Sequence, residues 1–271
     1  MQKIKLFKID RQSIDLIKNN FGHFVVYDSD YEFLKNISSE EKVVSVSYDG
    51  PLQFINSMPE CHLEVCLGTE SISALAETIH TLDPKLVSFK IGLKTEPVMV
   101  MELLEFLTPF QFSIDIVEMI GRHSKENLFK YLHRYLFESK NKALIEPFHS
   151  ILNSFITSSE MNIWRWSWFG LNNFYLISNG SIVYLDRDGS YIPVGSVENG
   201  SIKKGAEFLA IEKRRIQAYT DNEKCKSCSY YFACSGFSEV ILGKCDEWFE
   251  IFDQLHDVSL ELKQVLNPEK I

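Results

Sequence analysis

The chain lacks the features that define several large protein classes. It has no uninterrupted apolar run near the ~20 residues that a membrane helix requires. Its first residues alternate charged and apolar types, without the continuous apolar core of a signal peptide. It also lacks the phosphate-binding G-x-x-x-x-G-K-[ST] motif, a nucleophile elbow and a protein-kinase signature. We therefore expect a cytoplasmic protein with no membrane partner, in a compartment that keeps thiols reduced.

Basic residues are outnumbered by acidic ones. The 28 Lys and Arg residues face 37 Asp and Glu residues, which gives a formal net charge of −9. A general nucleic-acid binder would need a basic surface to neutralise phosphates, so we expect no nucleic-acid partner. With 45% hydrophobic and 13% aromatic residues, the composition is that of a globular protein. The length of 271 residues suffices for one large domain or two smaller ones.

The first half of the chain alternates strand-like and helical patterns. Four β-branched or apolar runs lie between about residues 43 and 117, separated by glycine or proline and by helical periodicity. This rhythm predicts βα units around a parallel sheet and hence an α/β fold.

The pattern changes after Pro147. Asn179-Gly180 separates two β-branched runs, which predicts an antiparallel hairpin with a tight turn. Residues 201–220 have a helical pattern, as do residues 246–265. We place a domain boundary near residue 160, with a βα domain over 1–160 and a second domain over 161–271.

Cysteine is scarce, but four of the six cysteines lie within the last fifty residues or so. These four are Cys225, Cys228, Cys234 and Cys245, spaced C-x2-C-x5-C-x10-C. Four converging thiolates suit either tetrahedral zinc or an iron–sulfur cluster. Two disulfides or four unrelated buried thiols are the alternatives, which reducing conditions and dense clustering disfavour. Cys61 and Cys66 have no third partner, and we expect them to act as small core hydrophobes.

A hairpin, a helix and C-x2-C-x5-C together resemble the SPASM domain, the C-terminal extension of radical S-adenosylmethionine enzymes that mature peptides. The resemblance covers roughly the last hundred residues. Gly180 matches the glycine of the family pattern, and Leu185 and Ser238 stand where the family has cysteines. No cysteine occurs in the window before Gly180, which contains WRWSWFG. The resemblance therefore implies that the motif cysteines of the first auxiliary cluster site are lost and that the four of the second are kept.

This pattern implies one [4Fe–4S] cluster held by the four clustered cysteines, with zinc as the alternative. The radical-forming motif C-x3-C-x2-C is absent, so we expect no radical chemistry from this chain alone. The βα domain would then be a degenerate, partial-barrel-like relic. By resemblance, the chain would be a non-catalytic SPASM-like protein that assists maturation of a ribosomally synthesised peptide. Its partners would be the precursor peptide and a modifying enzyme, such as an ATP-grasp ligase or a radical S-adenosylmethionine enzyme. A zinc-binding structural or adaptor module without redox function is the other hypothesis.

A few other residues invite a functional interpretation. His62 and His149 lack any metal-ligand spacing, so we interpret both as ordinary surface or hydrogen-bonded core histidines. Asp115, Glu118 and Arg122 lie near the end of a predicted strand, where parallel sheets bind ligands, although helix capping or solvation explains such charges more often.

Overall fold

The computed structural model describes most of the chain in separate ranges. These are residues 6–9, 24–39, 43–48, 52, 55, 61–67, 72–91, 95–116, 124–138, 140, 143–158, 174–176, 180–185, 191–198, 201–234 and 245–266. Its strands are β1 Leu6–Ile9, β2 Phe24–Asp28, β3 Val43–Tyr48, β4 His62–Leu67, β5 Val87–Ile91, β6 Ser113–Asp115, β7 Leu144–Glu146, β8 Phe174–Leu176, β9 Ser181–Leu185, β10 Tyr191–Glu198 and β11 Ser201–Lys204. Its α-helices are α1 Tyr31–Ile37, α2 Ile72–Thr78, α3 Pro97–Leu107, α4 Lys125–Phe137, α5 Phe148–Thr157, α6 Ala206–Thr220, α7 Glu223–Ser227, α8 Tyr231–Cys234 and α9 Cys245–Leu266.

All of these strands belong to one sheet, in the order β11-β10-β9-β8-β1-β2-β3-β4-β5-β6-β7. Strands β1 to β7 are parallel to their neighbours, and β8 pairs parallel with β1. Strands β8 to β11 are joined by antiparallel pairs. The predicted α/β class is therefore confirmed, and the four strands expected between residues 43 and 117 are the parallel strands β3 to β6.

Helices α1 to α4 lie on one face of the parallel strands. The strands follow one another in chain order, and right-handed crossovers that all advance in one direction place their helices on the same side. Tyr31 of α1 packs edge-on against Tyr48 of β3, with ring centroids 5.3 Å apart. The strand residues on this face are apolar and buried in one core cluster with the helices. This helix-covered face is the main hydrophobic core.

The predicted hairpin is also confirmed. Strands β8 and β9 pair antiparallel, and Gly180 precedes β9 with a φ of +78°. The helix expected over residues 201–220 begins only at Ala206, because residues 201–204 form β11 against β10. Helical periodicity in this short segment was misleading, since β10 was available as an antiparallel pairing partner. Gly205 then separates the strand from the helix.

One sheet joins strands from both halves of the chain, because Lys8 and Ile9 of β1 pair with Tyr175 and Leu176 of β8. Helix α5 packs along the long helix α9, and both contribute to the same core cluster as the parallel strands. The segment that carries the four clustered cysteines is therefore attached to the end of the βα layer, beside β7 and α5.

Candidate metal centre

The four clustered cysteines lie on or directly after three consecutive helices. Cys225 is inside α7, Cys228 is the C-cap residue that follows α7, Cys234 is the last residue of α8, and Cys245 is the first residue of α9. All four are thiols, with no disulfide among them. Cys225 and Cys234 are 5% and 7% exposed, whereas Cys228 and Cys245 are half-buried.

A capped turn presents the first two thiols. The Asn222 side chain caps α7, and its Oδ1 accepts hydrogen bonds from the backbone N–H groups of Lys224 at 3.0 Å and Cys225 at 3.4 Å. The N–H of Cys228 donates to the carbonyl of Cys225 at 3.3 Å. Positions i and i+3 are thereby held on one turn, which is the local geometry that C-x2-C predicts.

Tyr230 docks this turn onto helix α9. Its hydroxyl donates to Asp253 Oδ1 at 2.7 Å, and its ring centroid lies 5.0 Å from that of Phe249 and 5.7 Å from that of Phe252. Burial, the bond to Asp253 and nearby negative groups that include Cys228 raise the pKa of Tyr230. The segment with the first three thiols is thus fastened to the early turns of the helix that begins with the fourth.

The side chains around these helices form an aromatic core. Phe155 of α5 contacts the rings of Tyr230 at 5.7 Å, Phe232 at 5.4 Å and Phe252 at 6.5 Å. Aromatic edge-to-face contacts of this kind hold α5, α8 and α9 together beyond the effect of buried area alone. Cys234 belongs to the same core cluster, and Cys228 packs against it.

Among the residues that the structure describes, no three or more His, Cys, Asp or Glu side chains are arranged to hold a metal ion. The loop that joins Cys234 to Cys245 lies outside those residues. The structure therefore brings the four thiols into one helical unit without placing the sulfurs around a common point.

The residues nonetheless have the chemistry that a metal–thiolate centre needs. Trp248, three residues after Cys245, is fully buried, and no described residue accepts a hydrogen bond from its Nε1. Helical side chains tilt toward the N-terminus of their helix, so the indole covers the turn that begins with Cys245. A buried N–H costs free energy without an acceptor, and a thiolate or cluster sulfide is an acceptor. The four cysteine thiols and the Trp248 N–H together therefore fit a metal–thiolate centre.

A second group of polar residues escaped the sequence analysis. On β4 the apolar residues at 63, 65 and 67 are buried toward the helices, whereas the residues at 62, 64 and 66 lie on the other face. By strand register the same two faces continue through β5, β6 and β7, although Lys90 and Glu146 on the second face are also buried. We call this other side the polar face, and its described residues on these strands are His62, Glu64, Cys66, Ser88, Lys90, Ser113, Asp115, Leu144 and Glu146. The missed signal was polar residues at every second position in strands of a parallel sheet, which is usually apolar on both faces.

The structure corrects one prediction about the candidate residues and shows where several others lie. Cys66 lies on it, half-buried, and not in the core, whereas Cys61 packs against the core as expected. His149 is a hydrogen-bonded histidine, with its Nδ1 3.0 Å from the Tyr135 hydroxyl. Asp115 ends β6 on the polar face, while residues 118 and 122 lie outside the described part.

Comparisons with protein-family models, with curated proteins and with solved structures found no match for this chain. A search of the described helices found none long and apolar enough to span a membrane.

Proposed function

We propose that this chain is a non-catalytic, SPASM-like iron–sulfur protein that assists maturation of a ribosomally synthesised peptide. It would act in the cytoplasm by binding the precursor peptide, a partner modifying enzyme such as an ATP-grasp ligase or a radical S-adenosylmethionine enzyme, or both. Residues 161–271 would be the SPASM-like domain, and residues 1–160 a degenerate partial barrel.

The observation that carries the proposal is the helical unit of α7, α8 and α9. Four cysteines with C-x2-C-x5-C-x10-C spacing start, line or end its helices, and Tyr230 fastens the segment to α9. The hairpin of β8 and β9 and the helix α6 precede it in the order that the SPASM resemblance implies. Parallel strands in chain order support the interpretation of the first half as a partial barrel.

Cys225, Cys228, Cys234 and Cys245 would hold the [4Fe–4S] cluster. When bound, the cluster would supply a rigid cross-link and a one-electron redox group. The Asn222 cap and the Tyr230–Asp253 hydrogen bond would hold the ligand-bearing turn in place. The buried Trp248 N–H, which has no acceptor among the described residues, would donate to a thiolate or sulfide, and such bonds tune the redox potential of clusters. This chain's own role is therefore to bind and orient its partners.

The second candidate is a zinc-binding structural or adaptor module, favoured by the same four-thiol donor set. Anaerobic purification followed by absorption spectroscopy and metal analysis separates the two. A broad band near roughly 400 nm that bleaches with dithionite, with iron and sulfide in equal amounts, supports the cluster. A colourless protein with stoichiometric zinc supports the alternative, and protein with neither metal contradicts both.

The proposal that the chain is non-catalytic has its own test. After reconstitution with iron and sulfide, the protein is incubated with S-adenosylmethionine and dithionite, and 5′-deoxyadenosine is measured by mass spectrometry. We expect none above the level of a sample without protein, since the chain has no C-x3-C-x2-C motif. Production of 5′-deoxyadenosine by the purified chain would show that it is an enzyme.

A further inference from the structure

Helix α9 buries one side in the core and exposes the other. On the exposed side, Phe249 is 43% and Leu260 44% exposed, and half-buried His256 lies between them. Positions i, i+7 and i+11 lie along one line on a helix. Each residue advances about 1.5 Å, so this line of large side chains is roughly 17 Å long. We call these three residues, together with Phe232 of α8, the α9 surface.

Buried aromatic rings support the α9 surface from below. The Tyr230 ring lies 5.0 Å from that of Phe249 and 5.9 Å from that of His256, measured between centroids. Phe155 contacts both His256 and Phe232, each at 5.4 Å. Phe232 is itself 40% exposed. The exposed rings are therefore held in fixed positions, and rigid exposed aromatic residues are enriched in the centres of protein interfaces.

A line of carboxylates runs beside the α9 surface. Helix α9 carries six acidic residues and one basic residue. The exposed acidic residues recur every three or four positions, at Asp246, Glu250, Asp253, Asp257 and Glu261. This spacing keeps them on one face of the helix, next to the line from Phe249 to Leu260. The exposed side of α9 is therefore amphipathic, with large side chains along one edge and negative charge along the other.

Ion pairs within the molecule neutralise only part of this negative charge. Glu250 pairs with Lys125 of α4, whose Nζ lies 2.6 Å from the Glu250 Oε1. Further along the helix, Asp257 and Glu261 form no ion pair with any described residue. An acidic edge attracts a basic partner and repels an acidic one. A symmetric dimer through this surface would bring two acidic edges together, which disfavours a second copy of the chain as the occupant.

We propose that the α9 surface binds a basic amphipathic helix of another polypeptide. The apolar side of that helix packs on Phe232, Phe249 and Leu260, and its lysines and arginines face Asp257 and Glu261. The side of a helix offers no free backbone groups to pair with a strand, so the bound segment must satisfy its own backbone hydrogen bonds, as a helix does. About eleven residues of helix cover a length of roughly 17 Å.

The inference itself depends on the exposure, packing and charge of α9 and requires no metal. That the helix belongs to the precursor peptide or to the modifying enzyme rests on the proposed function.

Synthetic helices test the partner chemistry. The probe is a fluorescein-labelled helical peptide of about fifteen residues, with leucines at i, i+4, i+7 and i+11 and with lysines and arginines along one edge. Binding to the full-length protein is measured by fluorescence anisotropy at low ionic strength. One control peptide has the same composition with its leucines scattered around the helix, and another has glutamates in place of the basic residues. We expect only the probe to bind saturably, with an affinity that falls as salt rises.

Matched variants assign the binding to α9. Asp257→Asn combined with Glu261→Gln removes two exposed charges, and Leu260→Ala removes exposed apolar surface. We expect each of these two proteins to bind the probe about fivefold more weakly. The controls change the same groups on α3.

The first control combines Glu102→Gln with Glu105→Gln, which removes two exposed carboxylates, and the second is Val98→Ala, at a residue that is 70% exposed. Both should leave probe binding unchanged. An unaltered thermal unfolding transition shows that each variant is folded.

Several outcomes would overturn the inference. These are no binding of the probe, equal binding of either control peptide, and binding that survives both α9 variants. Self-association in analytical ultracentrifugation that Leu260→Ala abolishes would show that a second copy covers this surface, and would overturn it too.

Metal analysis of the same samples separates this inference from the proposed cluster. Probe binding by protein without iron or zinc keeps the α9 surface and contradicts the cluster. Iron-loaded protein that does not bind the probe contradicts the α9 surface alone.

Discussion

At the scale of single residues, Glu146 shows how burial shifts ionisation in this molecule. The residue is 7% exposed, and its Oε2 accepts a hydrogen bond from the Ser150 N–H at 3.1 Å. Burial is the largest influence and raises its pKa above the usual 4.5, whereas Ser150 and nearby His149 act in the opposite direction. The folded state therefore holds this proton more tightly than the unfolded state does.

The pH dependence follows from that difference. Where the folded protein binds more protons than the unfolded chain, the free energy of unfolding falls as pH rises. We expect Glu146→Gln to abolish this fall in the free energy of unfolding with rising pH, because glutamine keeps an acceptor for the Ser150 N–H without a charge. The variant should gain stability relative to the wild type between pH 4 and pH 7, measured by urea unfolding across that range. Glu105→Gln, which removes an exposed carboxylate on α3, is the control. A stability difference between Glu146→Gln and wild type that does not change with pH would contradict the argument.

Single residues also mark what sequence could and could not reveal about the site. The spacing of Cys225 and Cys228 predicts a shared turn, because i and i+3 contacts are local. The docking of Tyr230 onto Asp253 joins residues 23 positions apart and has no local pattern. The alignment of Cys66, Lys90 and Asp115 on the polar face depends on strand register, which follows from tertiary pairing.

At the scale of secondary-structure elements, the hairpin of β8 and β9 depends on Gly180. Its φ of +78° lies in the left-handed region, and its carbonyl accepts a hydrogen bond from the Val197 N–H of β10 at 2.7 Å. A Cβ at this position would lie 3.3 Å from the Val197 carbonyl oxygen, which is a tight contact. The glycine therefore permits both the turn and its close approach to the third strand.

Gly180→Ala should lower the free energy of unfolding by about 1–2 kcal/mol, because alanine resists positive φ. Urea unfolding monitored by circular dichroism measures the loss. Asn tolerates the left-handed region better, so Gly180→Asn should cost less, although it adds the same Cβ. Equal losses in the two variants would mean that the contact with Val197 matters more than φ. No loss in either would show that the turn adopts another conformation.

Elements with strong local signals were predictable, and those set by pairing were less so. Asn179-Gly180 identified the hairpin, and apolar periodicity identified α9 within one residue at each end of the prediction. Residues 201–204 looked helical because their neighbours in α6 do, and strand pairing with β10 overrode that preference. The four strands β3 to β6 were predictable because each is a short apolar run between breakers.

At the scale of the whole molecule, one sheet and one core cluster join the two halves of the chain. Strand β8 pairs with β1, and the aromatic contacts of Phe155 attach α5, which follows β7, to Tyr230 and Phe252 of the helical unit. The parallel strands have their own large core, whereas the short helices α7 and α8 have few buried apolar residues. Cross-linking by a metal centre would therefore matter most in the cysteine segment.

This asymmetry predicts a regional effect from losing one ligand of the proposed metal centre. In a small metal-binding unit the ligation free energy is also folding free energy, so Cys228→Ser should destabilise residues 220–271 and leave the parallel strands folded. Proteolysis through a locally opened state follows its population, and a loss of about 1.4 kcal/mol accelerates cleavage about tenfold. Limited proteolysis with mass spectrometry should show faster cleavage inside 220–271 and unchanged cleavage elsewhere. Cys66→Ser, outside the four clustered cysteines, should leave the pattern unaltered, and metal removal from the wild type should reproduce that of Cys228→Ser. Unchanged resistance of the segment in Cys228→Ser would mean that aromatic packing around Tyr230 alone holds it, and that the thiols are not ligands.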